Sequence, residues 1–161
     1  MTTLGIDAGI GGALALLGPD SLVVMDMPTL RVKVGKSERQ RIDMARLALL
    51  FQYWELIADR IVMEQVAARP GDSGMFNFGM TYGILYTHAF NTNLRVEQVP
   101  SQTWKRVLRV PGKTEGTSEA IVQRADELMP LHRMWWRGPR GGALVDRAEA
   151  AMLAYYGEHY L

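Results

Sequence analysis

The sequence predicts an α/β protein with a five-stranded mixed sheet flanked by helices. Two observations support this. Short apolar runs separated by turn residues fill the first 27 positions, as in an antiparallel meander. Beyond them, segments with helical apolar spacing alternate with short strand-like runs, which favours parallel strands joined by helices. A chain of 161 residues suits one domain with a good core, so we expect a single domain over residues 1–161.

The first half of the chain carries the meander. Residues 2–7, 13–17 and 22–27 are predicted strands, divided by a glycine-rich turn after Asp7 and by a Gly-Pro-Asp turn. Residues 31–41 are expected to form a basic loop. Apolar residues then recur every three or four positions from 42 to 58, which predicts an amphipathic helix. The apolar residues 61–63 predict a central strand.

The second half is expected to alternate helices and one outer strand. A helix is predicted from about 74 to 90, with Asp72 or Ser73 as its N-cap, and a strand over residues 94–99. Helices are predicted at 101–110, 118–129 and 145–155, with a loop over 130–142. Trp135 and Trp136 cannot both point inward from one loop, so one of them should be partly exposed.

Composition excludes several classes of function. No segment approaches the roughly 20 apolar residues of a membrane span, and we expect neither a secretory signal nor a membrane partner. The chain has no cysteine, which excludes thiolate metal sites and disulfides and is compatible with the reducing cytoplasm.

Most of the 18 basic residues fall in three stretches that are nearly free of acids, although the net charge is only +1. They are Arg31, Lys33, Lys36, Arg39 and Arg41; Lys105, Arg106, Arg109 and Lys113; and Arg133, Arg137 and Arg140. Solvated surface charge is the ordinary explanation. Clustering favours a polyanion-facing surface if the fold brings the stretches together.

Four carboxylates stand at the edges of apolar segments. Asp7 ends the first strand, Glu64 follows Ile-Val-Met, and Asp146 and Glu149 are three residues apart on the last helix. Taken singly, each has a structural explanation: a turn, a salt bridge from Arg60 to Glu64, or a capping box. Taken together, they suit a hard divalent cation, Mg²⁺ or Mn²⁺. Two such ions ~4 Å apart support phosphodiester hydrolysis.

Four motifs carry a family resemblance. They are Leu-Gly-Ile-Asp-Ala-Gly at residues 4–9, Met-Glu-Gln-Val at 63–66, Pro-Gly-Lys at 111–113 before a helix, and Asp-Arg-Ala-Glu-Ala at 146–150. In order and spacing they cover almost the whole chain. The chain resembles the RuvC family of Holliday-junction resolvases, particularly its compact phage-type members, within the ribonuclease H-like superfamily.

The resemblance implies a ribonuclease H-like fold and a crossover-junction endodeoxyribonuclease. Such a homodimer binds a four-way DNA junction and nicks two strands symmetrically, leaving 5′-phosphates. Asp7, Glu64, Asp146 and Glu149 match the family's catalytic metal ligands, with two Mg²⁺ or Mn²⁺ ions expected per active site. The resemblance also implies the cytoplasm of a bacterium or of a phage-infected host cell.

The resemblance suggests which residues contact DNA. Lys113 matches a DNA-facing lysine, and the family often has an aromatic residue where this chain has Ala67. Phe76 and Phe78 could stack on a junction base instead, with core packing as the alternative. The further expected DNA contacts come from the basic stretches: Lys105, Arg106, Arg109, Arg137 and Arg140.

Two other features have alternative explanations. Gly79 and Gly83 give the 74–90 helix a small-residue face, which suits either tight packing on the sheet or a dimer interface. Trp104 lies beside Lys105 and is either a core anchor or part of an aromatic–basic contact to DNA.

Three alternative functions remain open. A ribonuclease H-like endonuclease of broader specificity, acting on forks or flaps, would use the same carboxylates. The Gly-Ile-Asp-Ala-Gly turn also resembles the phosphate-binding turn of actin-like kinases and ATPases, but those proteins need two such domains. A non-catalytic DNA-binding module would not need the full carboxylate set.

Overall fold

The secondary-structure elements follow the predicted order, with two additions, a hairpin before the first helix and a 3₁₀ helix before the last one. The computed structural model describes residues 1–65, 74–111 and 118–161. The strands are β1 (Thr3–Asp7), β2 (Ala13–Leu17), β3 (Leu22–Asp26), β4 (Thr29–Val34), β5 (Ser37–Ile42), β6 (Arg60–Gln65) and β7 (Arg95–Pro100). The helices are α1 (Met44–Glu55), α2 (Met75–Phe90), α3 (Ser101–Val107), α4 (Ser118–Leu128), a 3₁₀ helix (Pro130–Trp135) and α5 (Val145–Tyr160). No described helix is both long and apolar enough to cross a membrane.

Five strands form the main sheet in the order β3-β2-β1-β6-β7. The β1–β2 and β2–β3 pairs are antiparallel, because short turns connect them. The β1–β6 and β6–β7 pairs are parallel, because helices connect β6 and β7 to the preceding strands. The predicted five-stranded mixed sheet flanked by helices is therefore confirmed, with β1 and β6 at its centre.

Two apolar cores lie on opposite faces of this sheet. Leu4 and Ile6 of β1 belong to the core that contains Phe51 of α1 and Leu85 of α2. The other core lies under α4 and α5 and contains Trp104. Successive side chains of a strand point to opposite faces, so Gly5 and Asp7 face α5.

The expected loop at residues 31–41 is wrong. These residues form most of the β4–β5 hairpin, a separate two-stranded sheet in which Val32 lies opposite Arg39. Gly35 makes the turn with a φ of 62°, a left-handed conformation that glycine adopts without steric cost. The hairpin escaped prediction because charged residues occupy most of its positions, so apolar alternation is weak.

Three smaller expectations have clear outcomes. The predicted loop at 130–142 begins with the 3₁₀ helix instead, and α5 continues beyond residue 155 to Tyr160. The expected exposure difference is confirmed, because Trp136 is fully buried while Trp135 is partly exposed. The two candidate N-caps of α2 lie outside the described residues, and Gly74 precedes the helix there.

Candidate active site

Asp7 is the last residue of β1 and Glu64 is the last but one of β6, so both acids lie at the same edge of the sheet. β1 and β6 are parallel, and Ile6 lies opposite Met63 in their register. The next residue on each strand is therefore one of the two acids. Because Ile6 and Met63 both belong to the core beneath α1 and α2, the acids that follow them point to the opposite face. Both carboxylates thus lie on the α5 side, and each is partly buried.

Helix α5 approaches this face so closely that its backbone touches β1. A Cβ atom at Gly5 would collide with backbone atoms of Ala150 and Ala154. This position explains the alanine-rich sequence of α5, since larger side chains would hold the helix away from the sheet. The helix therefore crosses β1 near Gly5 with its first turns directed toward the end of β1.

The first two turns of α5 supply the other two acids. Asp146 is the second residue of the helix and is exposed, whereas Glu149 is buried at 9% relative exposure. Their spacing of three residues places them on one face of the helix. A capping box is not formed, because Leu144 is the N-cap residue and makes no side-chain capping hydrogen bond.

The electrostatics of Asp7 show that the four carboxylates share one region. Burial and the negative charges of Glu149, Asp146 and Glu64 raise the pKa of Asp7 from 3.8 to about 8, while Lys105 acts in the opposite direction. Like charges at close range disfavour joint ionisation. Three separate elements, β1, β6 and α5, thus bring the predicted carboxylates together.

Helix α3 supplies two hydrogen-bond donors to this cluster. Nε1 of Trp104 donates to Oε2 of Glu64 at 3.1 Å, and Nζ of Lys105 donates to Oε1 of Glu149 at 2.7 Å. The ammonium also lies 5.0 Å from the centre of the indole ring, within range of a cation–π interaction. Trp104 is fully buried, so it is a core residue whose polar edge faces the site.

The sequence did not reveal these two donors. Their position follows from α3 beginning directly after β7, whose last residues lie opposite Glu64 and Gln65 of β6. Only the strand order shows that this helix starts beside Glu64 of the carboxylate cluster. Lys105 was expected on DNA, and in the structure its ammonium is bonded to Glu149.

The donor set fits a divalent cation, although the side chains are not arranged around one. Among the described residues, no three acidic or histidine side chains are disposed to ligate a single ion. Glu64 and Glu149 direct oxygens toward Trp104 and Lys105 instead. Four clustered carboxylates nevertheless provide the oxygen ligands that Mg²⁺ and Mn²⁺ prefer. Burial and then the negative charges of Glu149, Asp146 and Glu64 raise the pKa of Asp7, and a bound cation would neutralise those charges.

The other predicted DNA contacts lie in different surroundings. Arg106, Arg109 and Arg140 are exposed. Arg137 is bonded within the chain, with Nη2 2.6 Å from Oδ2 of Asp126 and a second bond to Glu119. Lys113 and Ala67 lie outside the described residues. DNA contacts by these basic residues stay a prediction.

Phe76 and Phe78, in the first turn of α2, differ in exposure. Phe76 is 80% exposed, which excludes core packing for it within this chain. Phe78 is partly buried and lines a pocket between the hairpin and α2. Stacking on a DNA base stays a prediction for both residues.

Comparison with known proteins adds a structural likeness. No family model matches the sequence, and no curated protein matches it. Among solved structures, Thermus thermophilus RuvC is 17% identical, with 98% of this chain and 96% of that chain covered and a TM-score of 0.55. The same protein in complex with a Holliday junction substrate gives 14% identity, 99% and 96% coverage, and a TM-score of 0.59. The yeast mitochondrial Holliday junction resolvase Ydc2 gives 19% identity, 94% and 75% coverage, and a TM-score of 0.53.

These likenesses define the class of fold. The chain has the ribonuclease H-like fold, as expected from its sequence. Within that class its structure is similar to RuvC and to the yeast mitochondrial resolvase over nearly all of its length.

Proposed function

We propose that this protein is an endonuclease that resolves four-way DNA junctions by symmetric paired nicks. The observation that carries the proposal is the electrostatic coupling of Asp7 to Glu64, Asp146 and Glu149 at one edge of a RuvC-like sheet. The solved structures most useful for comparison are a RuvC protein with a Holliday junction substrate and a yeast Holliday junction resolvase. Their substrates support the choice of branched DNA here.

The reaction is phosphodiester hydrolysis that leaves 5′-phosphates. Asp7, Glu64, Asp146 and Glu149 would hold Mg²⁺ or Mn²⁺, with two ions expected per site. Such ions, when bound, activate a water molecule and stabilise the leaving 3′ oxygen.

The chain's own groups prepare this site. Asp7, with a pKa of about 8, holds a proton on its carboxyl group at neutral pH before any cation binds. Cation binding therefore requires this proton to leave, because a ligating carboxylate must be ionised. Trp104 and Lys105 keep Glu64 and Glu149 oriented in the meantime. Groups that donate hydrogen bonds to metal-ligating carboxylates fix the direction of the ligand oxygens.

Paired nicking needs two active sites, and we propose a homodimer formed through α2. The exposed face of this helix carries Phe76, Met80 and Phe90 around the open positions of Gly79 and Gly83. A contiguous exposed apolar patch often marks an interaction surface. Gly79 and Gly83 lie in the middle of this patch, and because they have no side chain they allow a second helix to approach closely.

The function is tested by incubating the protein with matched four-way junction, fork, flap and linear duplex, in Mg²⁺, Mn²⁺ or EDTA. We expect paired nicks at symmetric positions in the junction, and none in EDTA. Similar rates on every branched substrate would support an endonuclease of broader specificity. Binding without cleavage in either metal would contradict an enzymatic function.

Glu64→Gln tests whether the carboxylate cluster is needed for cleavage. It removes a charge from the cluster at nearly constant shape, so we expect cleavage to be lost and junction binding retained. Glu97→Gln on the neighbouring strand β7 is the control, because Glu97 pairs with Arg95 rather than with the cluster. Loss of both folding and binding in Glu64→Gln alone would show that Glu64 has a structural role.

A further inference from the structure

The first turn of α5 carries Asp146 but is poorly supported by packing. Residues 148–154 are buried against the sheet, whereas Asp146 is exposed. The turn borders a cavity of about 340 Å³, and its N-cap residue, Leu144, makes no side-chain capping hydrogen bond. Helix ends fray where such support is missing. Glu149 is held by burial and by Lys105, so Asp146 is the acid of this helix that needs another support.

Arg147, the next residue, ties this turn to the end of β3. Its Nε and Nη2 donate to Oδ1 and Oδ2 of Asp26 at 2.6 and 2.7 Å. Its Nη1 donates to the backbone oxygen of Trp135 at 3.3 Å. Two parallel hydrogen bonds between a guanidinium and a carboxylate fix the direction of both groups. The two side chains are 29% and 69% exposed, so the pair matters more for geometry than for stability.

Asp26 lies in the same row of the sheet as Asp7. Asp7 is opposite Ala13 in the β1–β2 register, and Ala13 is opposite Asp26 in the β2–β3 register. Directly opposite residues of antiparallel strands share a face, so Asp26 lies on the α5 side, as Asp7 does. Two strand spacings of about 4.8 Å each separate the two positions. Arg147 therefore holds the start of α5 at a set distance from the first acid of the cluster.

We propose that Asp26 and Arg147 are positioning residues that hold Asp146 in place to bind a divalent cation. The inference rests on the proposed function, because it requires that the carboxylate cluster binds a cation. The fork between Arg147 and Asp26 stops the first helical turn from fraying, so the Asp146 carboxylate stays directed toward the cluster. An effect of charge alone predicts something different. Removing the positive charge of Arg147 from beside the acids would then strengthen cation binding.

The experiment measures Mn²⁺ binding without DNA, through the electron paramagnetic resonance signal of the free ion. Arg147→Gln and Asp26→Ala change the local charge in opposite directions, but both remove the fork. We expect both to weaken Mn²⁺ binding roughly ten-fold, as on losing a group that orients a metal ligand. Arg147→Lys keeps the charge but cannot form the fork, so it should weaken binding as well.

Arg95→Gln is the control for the loss of an arginine. Arg95 pairs with Glu97 and lies at the start of β7, at the opposite end of the sheet from the carboxylates. Its substitution should change Mn²⁺ affinity by less than about two-fold, as for other exposed ion pairs. The double variant of Asp26→Ala with Arg147→Gln should bind Mn²⁺ no more weakly than either single variant, because each already removes the fork. Circular dichroism verifies that every variant is folded.

Junction cleavage gives a second readout. In Arg147→Gln and Asp26→Ala, the Mg²⁺ concentration for half-maximal cleavage should rise roughly ten-fold. The rate at saturating Mg²⁺ should stay close to that of the wild type, because the carboxylates themselves are intact. Damage to the fold would lower this maximal rate instead.

The outcomes separate the positioning role from the proposed function. Opposite changes of Mn²⁺ affinity in Arg147→Gln and Asp26→Ala would overturn the positioning role and show an effect of charge. Unchanged Mn²⁺ affinity in both variants, with junction cleavage by the wild type, would overturn the positioning role and leave the function intact. If both variants weaken Mn²⁺ binding but the wild type cuts no DNA, the positioning role stands and the function is wrong.

Discussion

Nζ of Lys105 lies 2.7 Å from Oε1 of Glu149, and both side chains are largely buried, at 18% and 11% exposure. The ammonium is therefore the cation that the protein itself places among four carboxylates. It lowers the pKa of Asp7, whereas the neighbouring acids raise it. Before a divalent ion binds, this lysine offsets part of the repulsion that would otherwise hold the end of β1, the end of β6 and the start of α5 apart.

Lys105→Met should destabilise the cation-free protein. The substitution leaves Glu149 buried without its ionic partner, which costs about 2 kcal/mol for a pair of this exposure. Thermal unfolding in EDTA measures the loss, and excess Mg²⁺ should recover part of it, because a bound cation replaces the missing charge. Arg95→Met, which removes an exposed pair with Glu97, should cost less than ~1 kcal/mol and show no recovery in Mg²⁺. Equal losses in the two variants would contradict this role of Lys105.

Asp7 should make the stability of the cation-free protein depend on pH. The pKa of Asp7 is about 8 in the folded chain, whereas its ordinary value of 3.8 applies to the unfolded chain, so the folded state holds the proton more tightly. The associated stability is complete below pH 3.8 and is lost as the pH rises toward 8. Asp7→Asn cannot ionise, so it should be more stable than wild type at pH 8 by about 1–2 kcal/mol, though inactive. Urea unfolding in EDTA at pH 5 and pH 8 tests this: the stability advantage of Asp7→Asn over the wild type should be larger at pH 8 than at pH 5.

Trp104→Phe should distinguish the role of Trp104 in orienting Glu64 from its role in packing the core. It removes the indole donor to Glu64 and keeps most of the buried ring. We expect cleavage to slow by about 10–100-fold, the usual effect of losing a partner of a metal ligand. Trp136→Phe is the matched control, because its fully buried indole donates to Asp126 at 2.8 Å, outside the carboxylate cluster. Both variants should lose similar stability, and only Trp104→Phe should lose activity.

The clustering of the four acids of the candidate site could be predicted from the sequence, because these acids stand near the ends of strands and at the start of a helix. An acid that follows a short apolar strand must lie at the sheet edge, which places Asp7 and Glu64 as soon as β1 and β6 are adjacent and parallel. The spacing of Asp146 and Glu149 likewise specifies a shared helix face. The same reasoning could not find Trp104 and Lys105. Their roles depend on which way a short helix faces after β7, and that direction is set by tertiary packing.

The β4–β5 hairpin was missed for a different reason. Strand prediction depends on apolar side chains alternating with polar ones, and such alternation records burial on one face. This hairpin lies outside the main sheet, and only Ile42, at its end, is buried. Its sequence therefore shows little alternation of apolar and polar residues. Backbone pairing alone defines it, through six residue pairs from Thr29 opposite Ile42 to Val34 opposite Ser37. A pairing pattern of this kind leaves no signature in composition.

Gly5→Ala should be among the most destabilising small substitutions in the chain. The added Cβ would overlap the backbone of α5 at Ala150, and a helix backbone cannot shift as a flexible side chain can. We expect a cost of about 3 kcal/mol or more, the upper range for an overpacked core. Gly142→Ala is the control, since nothing lies within 4 Å of its Cβ position. Chemical denaturation measures the free energy of unfolding of both variants. Equal values for Gly5→Ala and Gly142→Ala would refute the close contact of β1 and α5.

Gly83→Glu should test whether α2 pairs two protomers. Nothing lies within 4 Å of a Cβ at this position, so the substitution is compatible with the folded chain. Replacing a helical glycine should even stabilise an isolated protomer slightly, by up to ~1 kcal/mol. At an interface, however, the carboxylate would be buried against an apolar stripe, and dimers should dissociate. Light scattering coupled to size exclusion measures the mass of wild type and variant at matched concentrations. Leu49→Glu on α1, where the replaced side chain is 67% exposed, is the control and should leave the mass unchanged. A Gly83→Glu protein that remains dimeric and still makes paired nicks would place the interface elsewhere on the surface.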